Sequence, residues 1–155
     1  MRLKILWPGK TKNADFRSLQ EFYLGRIRQL AACELIETRE AKGLQERFSQ
    51  KILEFEARGL EKQLKDDYII CLFNQGQEMN SCDLARLMEK AAMKSGRPLA
   101  FIVGGYAGLA ERILKRADAR LSLSQLTFSH ELCRIVLLEQ VYRSLAILKG
   151  THYAK

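Results

Sequence analysis

The chain has 155 residues, of which 47% are hydrophobic and 28% charged, a composition typical of one folded domain rather than a disordered or fibrous protein. No apolar run could span a bilayer, no secretory leader is visible, and the cysteines and histidines lack metal-ligand spacing, so we expect a cytoplasmic protein without membrane or metal. The net charge of +8 favours a polyanionic partner, although a merely soluble basic protein is equally compatible with it.

The first half of the chain alternates predicted strands and helices. Apolar residues alternate over 3–7 and recur at helical spacing over 14–30, which predicts a strand followed by a helix. A second strand is predicted over 34–38. A charged amphipathic helix is predicted over 44–64, although Gly59 weakens its interior by about 1 kcal/mol.

The second half continues the same alternation. The apolar run over 68–73 predicts a strand buried on both faces, which ends at the turn signal of residues 74–76. Ser81 is the predicted N-cap of the helix that follows. The remaining elements are predicted as a helix over 83–94, a strand over 99–103, a helix over 109–116, a strand over 120–123 and a helix over 130–148.

This alternation predicts a single α/β domain over residues 1–155, with a mostly parallel sheet flanked by helices. In such sheets ligands bind outside the carboxyl ends of the strands. We therefore expect three segments to be neighbours: the end of the strand over 68–73, the Gly104-Gly105 turn, and the loop over 124–129.

The loop before the last helix is rich in hydroxyl groups. Ser122, Ser124, Thr127 and Ser129 precede His130, which closes the loop. Small hydroxyls cap the first-turn N–H groups of a helix, and those N–H groups also suit the acceptor atoms of a ligand. From these residues alone a capped helix is the simpler interpretation, and a ligand site is the alternative.

The glycines Gly104, Gly105 and Gly108 do not form a dinucleotide-binding fingerprint, which disfavours a nicotinamide cofactor. Paired glycines permit either a tight turn or the close approach of a flat ligand such as a nucleoside. His130 and Cys133 do not make a convincing nucleophile and base, because Cys133 lies on an apparently buried helix face.

The segment over 132–148 is apolar nearly all round, so as a helix it must be covered on nearly all sides. In a domain this small we expect a second copy of the chain to supply part of that cover. The sequence therefore predicts a homodimer through this helix.

The second half of the chain resembles the large-subunit ribosomal RNA pseudouridine N3-methyltransferase family, a group of trefoil-knot (SPOUT) methyltransferases. The resemblance extends over essentially the full length, and the first 65 residues match mainly in pattern. The residues that carry it are Gly104-Gly105 with Gly108, Leu121-Ser122-Leu123-Ser124, Thr127, His130, Arg134, Glu139-Gln140, Tyr142-Arg143, Gly150 and Tyr153.

The resemblance implies a homodimer with a C-terminal trefoil knot that binds S-adenosylmethionine and methylates a pseudouridine in a ribosomal RNA hairpin loop of assembled ribosomes. The implied cofactor-binding residues are Leu72, Gly104, Gly105, Ser124, Gln125, Leu126, Thr127, Phe128 and Ser129. The candidates for orienting or deprotonating the base are His130, Arg143, His152 and Tyr153.

Two positions depart from the family pattern. Phe73 stands where the family usually has Asp, and the tail reads His152-Tyr153-Ala154 in place of the typical Pro-Tyr-His. These departures leave an alternative open, in which the chain is a ribosome- or RNA-binding module of the same fold with weakened or no activity.

Overall fold

Strands and helices alternate along the part of the chain that the computed structural model describes, residues 1–43, 46–151 and 153. In chain order the elements are β1 (Arg2–Pro8), α1 (Ala14–Leu30), β2 (Ala32–Thr38), a 3-10 turn (Glu46–Phe48), α2 (Ser49–Glu61), β3 (Tyr68–Glu78), α3 (Ser81–Ser95), β4 (Leu99–Ile102), α4 (Glu111–Arg116), β5 (Ala119–Ser122) and α5 (His130–Leu148). The predicted α/β class is confirmed.

The five strands form one parallel sheet in the order β2-β1-β4-β3-β5. Apolar residues alternate between its two faces, so that Ile5 and Phe101 lie in one buried cluster with α1, α3 and α5. Leu6 and Ile102 lie in the second cluster, with α2 and α4. The sheet is therefore flanked by helices on both faces, as predicted, and the trefoil knot stays a prediction.

β3 is longer than predicted, because the chain does not turn away from the sheet at residues 74–76. Leu72 and Gln77 both lie opposite Leu121 of β5, so the intervening residues bulge out before the strand rejoins its neighbour. The backbone of Gly76 lies directly against β5, since a Cβ there would be 2.7 Å from the carbonyl of Arg120. The glycine that indicated a turn instead permits this close contact.

Three helices also differ from the predictions in their boundaries or caps. α2 begins at Ser49 and ends at Glu61, whereas a helix over 44–64 was expected, of which residues 44 and 45 lie outside the described residues. α4 begins at Glu111, two residues after the expected start. Asn80 caps α3 by accepting from the backbone N–H of Asp83 at 2.9 Å, while Ser81 donates to Gln140 at 2.7 Å. The Ser81 hydroxyl therefore joins α3 to α5.

α5 spans the predicted residues and packs against α1, α3 and the sheet. Ser129 is its N-cap, as the hydroxyl-rich loop predicted, and its Oγ accepts from the backbone N–H of Leu132 at 3.3 Å. Neighbouring elements bury Leu138 and Val141, whereas Tyr142 remains half-buried. Cover by a second copy stays a prediction.

Of the helices in the described residues, none has both the length and the apolar character that a bilayer crossing requires.

Candidate functional site

The three segments expected to be neighbours belong to adjacent strands of the sheet, β4, β3 and β5. β3 lies between β4 and β5, and its residues Cys71 and Leu72 lie opposite Ile102 and Leu121, respectively. The Gly104 turn begins two residues after β4, and the loop over 124–129 begins two residues after β5. Leu72 therefore lies within β3, and the turn and the loop follow the two strands that flank β3, while their use as a cofactor site stays a prediction.

The glycine turn is tightly folded on itself. The backbone N–H of Gly108 donates to the carbonyl of Gly105 at 3.0 Å, and Gly108 has a left-handed backbone with φ of 84°. A Cβ at Gly104 would lie 2.6 Å from the backbone carbonyl of Gly108, so a side chain does not fit there without moving the turn. Tyr106, at the tip of the turn, is 66% exposed.

A buried carboxylate lies against this turn. A Cβ at Gly105 would be 2.6 Å from Oε2 of Glu56, whose side chain belongs to α2 and is 6% exposed. Oε1 of Glu56 accepts from the backbone N–H of Ala41 at 3.3 Å, whereas Oε2 has no hydrogen-bond donor among the residues that the structure describes. Burial raises the pKa of the Glu56 carboxyl. One carboxylate oxygen of Glu56 is thus buried beside the turn without a hydrogen-bond donor from the described part of the chain.

The hydroxyls of the loop mainly bind its own backbone. Ser122 donates to the carbonyl of Ser124 at 3.1 Å, and the Ser124 hydroxyl accepts from the backbone N–H of Leu126 at 3.0 Å. The middle of the loop is open, because Gln125 and Thr127 are exposed and the apolar side chain of Leu126 is 74% exposed. The polar side chains of Gln125 and Thr127, the apolar side chain of Leu126 and backbone groups are therefore what this loop offers to a ligand.

A buried arginine anchors the start of α5 to the end of β1. Arg134 is 1% exposed, and its guanidinium donates to the carbonyl of Pro8 at 2.6 Å and to Oγ1 of Thr11 at 3.2 Å. The same guanidinium lies 5.0 Å from the centre of the Trp7 ring. Glu131 adds a second contact between α5 and the segment after β1, because its carboxylate accepts from the backbone N–H of Lys12.

His130 lies at this anchored end of α5. Burial, together with the positive charge of Arg134, lowers the pKa of the imidazole below its usual value, so the ring is neutral near pH 7. For the neighbouring Glu131, burial alone would raise the pKa, but the backbone N–H donors of Lys12 and Asn13 lower it below the usual range. A neutral imidazole beside an ionised carboxylate is suited to accepting a proton.

Arg143 and Tyr153 lie together towards the other end of α5. Nη2 of Arg143 donates to Oε1 of Glu139 at 2.7 Å, and the hydroxyl of Tyr153 donates to the same oxygen at 3.2 Å. Burial, a hydrogen bond with Tyr23 and the charge of Glu139 raise the pKa of Tyr153 to about 12. Neither Arg143 nor Tyr153 therefore gives up a proton near neutral pH, and both are hydrogen-bond donors.

One chain does not bring all the predicted catalytic residues together. His130 and Arg143 are 13 positions apart on the same helix, which separates them by about 20 Å along its axis. Tyr153 lies with Arg143, its ring 4.9 Å from the guanidinium. His152 lies outside the described residues.

Glu56 and Arg134 were not among the site residues predicted from the sequence. Both are charged residues in helices, where a charged side chain usually faces water, and the pattern of α2 indicated a solvated surface for Glu56. Arg134 was one of the residues that carried the family resemblance, and its position within the apolar segment over 132–148 was the available signal of burial.

The fold is that of several solved structures described as methyltransferases. A probable methyltransferase from Bordetella pertussis Tohama I superposes with a TM-score of 0.60 at 12% identity, covering 93% of this chain and 96% of that chain. A probable methylase family protein from Haemophilus influenzae Rd KW20 gives 0.55 at 12% identity, covering 96% of this chain and 68% of that chain. These likenesses define the class of fold.

The sequence comparisons are more specific. Residues 1–154 match the family described as "Predicted SPOUT methyltransferase". A relative from Geobacter metallireducens, named ribosomal RNA large subunit methyltransferase H, is 38% identical over 99% of this chain and 98% of its own length. A relative of the same name from Thermodesulfovibrio yellowstonii is 36% identical over 98% and 97%, respectively. The chain therefore belongs to the SPOUT methyltransferase family, which confirms the resemblance and the enzyme class predicted from the sequence.

Proposed function

We propose that this chain transfers a methyl group from S-adenosylmethionine to N3 of a pseudouridine in a large-subunit ribosomal RNA hairpin loop, acting on assembled ribosomes in the cytoplasm. The observation that carries the proposal is the strand order β4-β3-β5, which makes the Gly104-Gly105 turn and the loop over 124–129 follow the two strands on either side of Leu72. The names of the full-length relatives and the net charge of +8 support an RNA substrate.

The residues of these segments fit the cofactor chemically. S-adenosylmethionine has a flat ring, amino and hydroxyl donors and a positive charge, and when bound it supplies a methyl group on an activated sulfonium. Exposed Leu126 and the partly buried Leu72 and Phe128 offer apolar surface for a ring. The backbone carbonyls of the turn offer acceptors for the donors. Leu72, Gly104, Gly105 and residues 124–129 would hold the cofactor.

The chain's own residues would position the pseudouridine base and accept its imide proton. Methylation at N3 requires loss of the imide proton, and the neutral imidazole of His130 is the acceptor we propose. Arg143 and Tyr153 are donors that would bind the base carbonyls, where negative charge grows as the proton leaves. Because the methyl group is already activated, positioning supplies most of the catalysis.

We also propose that two copies of the chain complete each site. Within one chain Arg143 is about 20 Å from His130 along α5, too far to act on the same base. A two-fold axis across α5 would bring Arg143 and Tyr153 of one copy to His130 of the other. The outer face of α1, which packs against α5, leaves Leu19 42% and Phe22 49% exposed, and these side chains give such a dimer apolar surface to bury.

A second candidate function follows from Phe73. Its side chain packs against the apolar cluster of α2 and α4 instead of offering the carboxylate that the family usually has beside the cofactor. A chain without that contact could bind ribosomes and methylate them slowly or not at all. A measurement of S-adenosylmethionine binding distinguishes this binding module from the methyltransferase.

Calorimetric titration with S-adenosylmethionine should show binding by the wild-type chain and at least about tenfold weaker binding by Gly104→Ala. The added methyl group cannot fit 2.6 Å from the Gly108 carbonyl, so the turn must open. Gly25→Ala is the matched control, because nothing lies within 4 Å of its added Cβ. No heat from the wild-type chain at millimolar cofactor would contradict the enzyme, and ribosome binding by that same chain would support the module.

A further inference from the structure

A groove of about 700 Å³ opens at the carboxyl ends of β1 and β2, apart from the three strand ends described above. Its walls carry four basic side chains, Lys10, Lys12, Arg39 and Lys42, two carboxylates, Glu37 and Glu40, and one aromatic ring, Phe55 of α2, so the cations outnumber the carboxylates by two. The proposed chemistry assigns no role to Lys10, Arg39, Lys42 or Phe55. They come from three separate parts of the sequence.

The groove has an excess of unneutralised positive charge. Lys12 is paired with Glu40 at 3.1 Å. Among the described residues, no carboxylate lies within 4.0 Å of the charged groups of Lys10, Arg39 or Lys42, and all three side chains are exposed. Three free cations in one concave surface favour a ligand with several negative charges.

The aromatic ring indicates what kind of polyanion would fit. Phe55 is 47% exposed, although a large apolar side chain gains free energy by leaving water. A second groove that Phe55 also lines carries Lys51 and the ion pair of Arg58 with Glu54 at 3.1 Å, so Phe55 has basic side chains beside it in both grooves. An exposed aromatic ring among cations is the arrangement by which proteins stack the bases of single-stranded nucleic acids while binding their phosphates.

The groove is next to the proposed reaction centre. Lys12, in its wall, donates its backbone N–H to Glu131, which is adjacent in sequence to His130. Lys12 and Glu40 also lie close enough to His130 to influence the pKa of its imidazole. An RNA strand that leaves the groove past Lys12 would therefore come close to His130.

We propose that this groove binds the single-stranded RNA that flanks the target nucleotide, with a base stacked on Phe55 and phosphates on Lys10, Arg39 and Lys42. The inference rests on the proposed function, since it assigns a second RNA contact to the same enzyme. A partner protein or a second copy of the chain would not need three unpaired cations around one ring.

The test measures binding of a fluorescent single-stranded RNA 12-mer and of bacterial ribosomes at several salt concentrations. Phe55→Ala should weaken both by roughly tenfold, since one base loses its stacking surface. The triple variant Lys10→Ala/Arg39→Ala/Lys42→Ala should lower the slope of log affinity against log salt for the 12-mer by about 2, corresponding to three single-strand phosphate contacts.

Matched controls lie on the exposed surface of α3, on the opposite face of the sheet from α2. Met93→Ala removes an apolar side chain that is 80% exposed, and Arg86→Ala/Lys90→Ala/Lys94→Ala removes three charges. These controls should leave the affinity for the 12-mer and its salt slope unchanged. Equal weakening by the α3 charge variant would overturn the proposal, because net charge alone would then explain the binding.

If both groove variants keep the wild-type affinity and salt slope, RNA does not bind in the groove, and the proposed methyltransferase function is not affected. Cofactor titration is run in parallel, and both groove variants should bind S-adenosylmethionine as the wild-type chain does. A wild-type chain that binds the 12-mer through Phe55 but binds no cofactor would contradict the enzyme and support the groove. If light scattering shows a dimer for the wild-type chain and a monomer for Phe55→Ala, the groove is a contact between copies of the chain, and the proposed RNA binding there is wrong.

Discussion

An equimolar mixture of His130→Ala and Arg143→Ala chains should methylate ribosomes, although each variant alone should be at least about 100-fold less active than wild type. Each proposed site takes His130 from one copy and Arg143 from the other. Half of the dimers in a fully exchanged mixture contain one chain of each kind, and each of those has one intact site. The mixture should therefore show about one quarter of wild-type activity.

The control for this experiment mixes His130→Ala with the double variant His130→Ala/Arg143→Ala. That mixture contains no His130 and should stay inactive after the same exchange. Mass spectrometry of the intact complexes verifies that the mixed dimers have formed. If mixed dimers of the two single variants form but remain inactive, His130 and Arg143 do not serve one site across two copies, and the arrangement proposed here is wrong.

Arg134→Ala should lower the free energy of unfolding by about 3 kcal/mol or more. The substitution empties the space of a fully buried guanidinium and leaves the carbonyl of Pro8 without its charged donor. It also removes the cation that lies on the Trp7 ring. Arg134→Lys should recover little of this loss. The guanidinium binds Pro8 and Thr11 through two separate nitrogens, whereas lysine has one ammonium nitrogen.

Urea unfolding at one fixed protein concentration measures this effect, since the stability of a dimer depends on concentration. Arg86→Ala is the control: Arg86 is a 76% exposed arginine whose ion pair with Asp83 lies on the surface of α3. We expect that control to change the free energy of unfolding by less than about 1 kcal/mol. An Arg134→Ala chain that unfolds at the same midpoint as Arg86→Ala would show that the anchor contributes little.

The elements predicted well from the sequence are those whose boundaries are set by residues next to them in the sequence. α1 and α5 have strong helical periodicity, and their ends agree with the prediction because side chains next to them, Asn13 and Ser129, cap the first turn. β3 was predicted too short for a physical reason. Glycine favours both a turn and a close backbone contact, and only the position of β5 decides that Gly76 makes the contact.

The candidate site was predictable in part, because parallel strands place their carboxyl ends at one edge, which predicted Leu72, Gly104 and the loop over 124–129 as neighbours. Glu56 was not predictable as a buried charge, since the charged pattern of α2 assigns it to water, whereas the apolar segment around Arg134 was a signal of its burial. The groove around Phe55 was hidden for another reason. Its cations are at positions 10–12 and 39–42, and the sheet order that joins them to α2 cannot be read from local sequence.

Mass spectrometry of large-subunit ribosomal RNA from cells with and without the gene tests the proposed methylation in its natural setting. We expect one pseudouridine in a hairpin loop to carry a methyl group in cells with the gene and to lack it in cells without. The wild-type gene should restore that methyl group, and a gene with His130→Ala should not. Identical methylation of the RNA from both kinds of cell would contradict the proposed function.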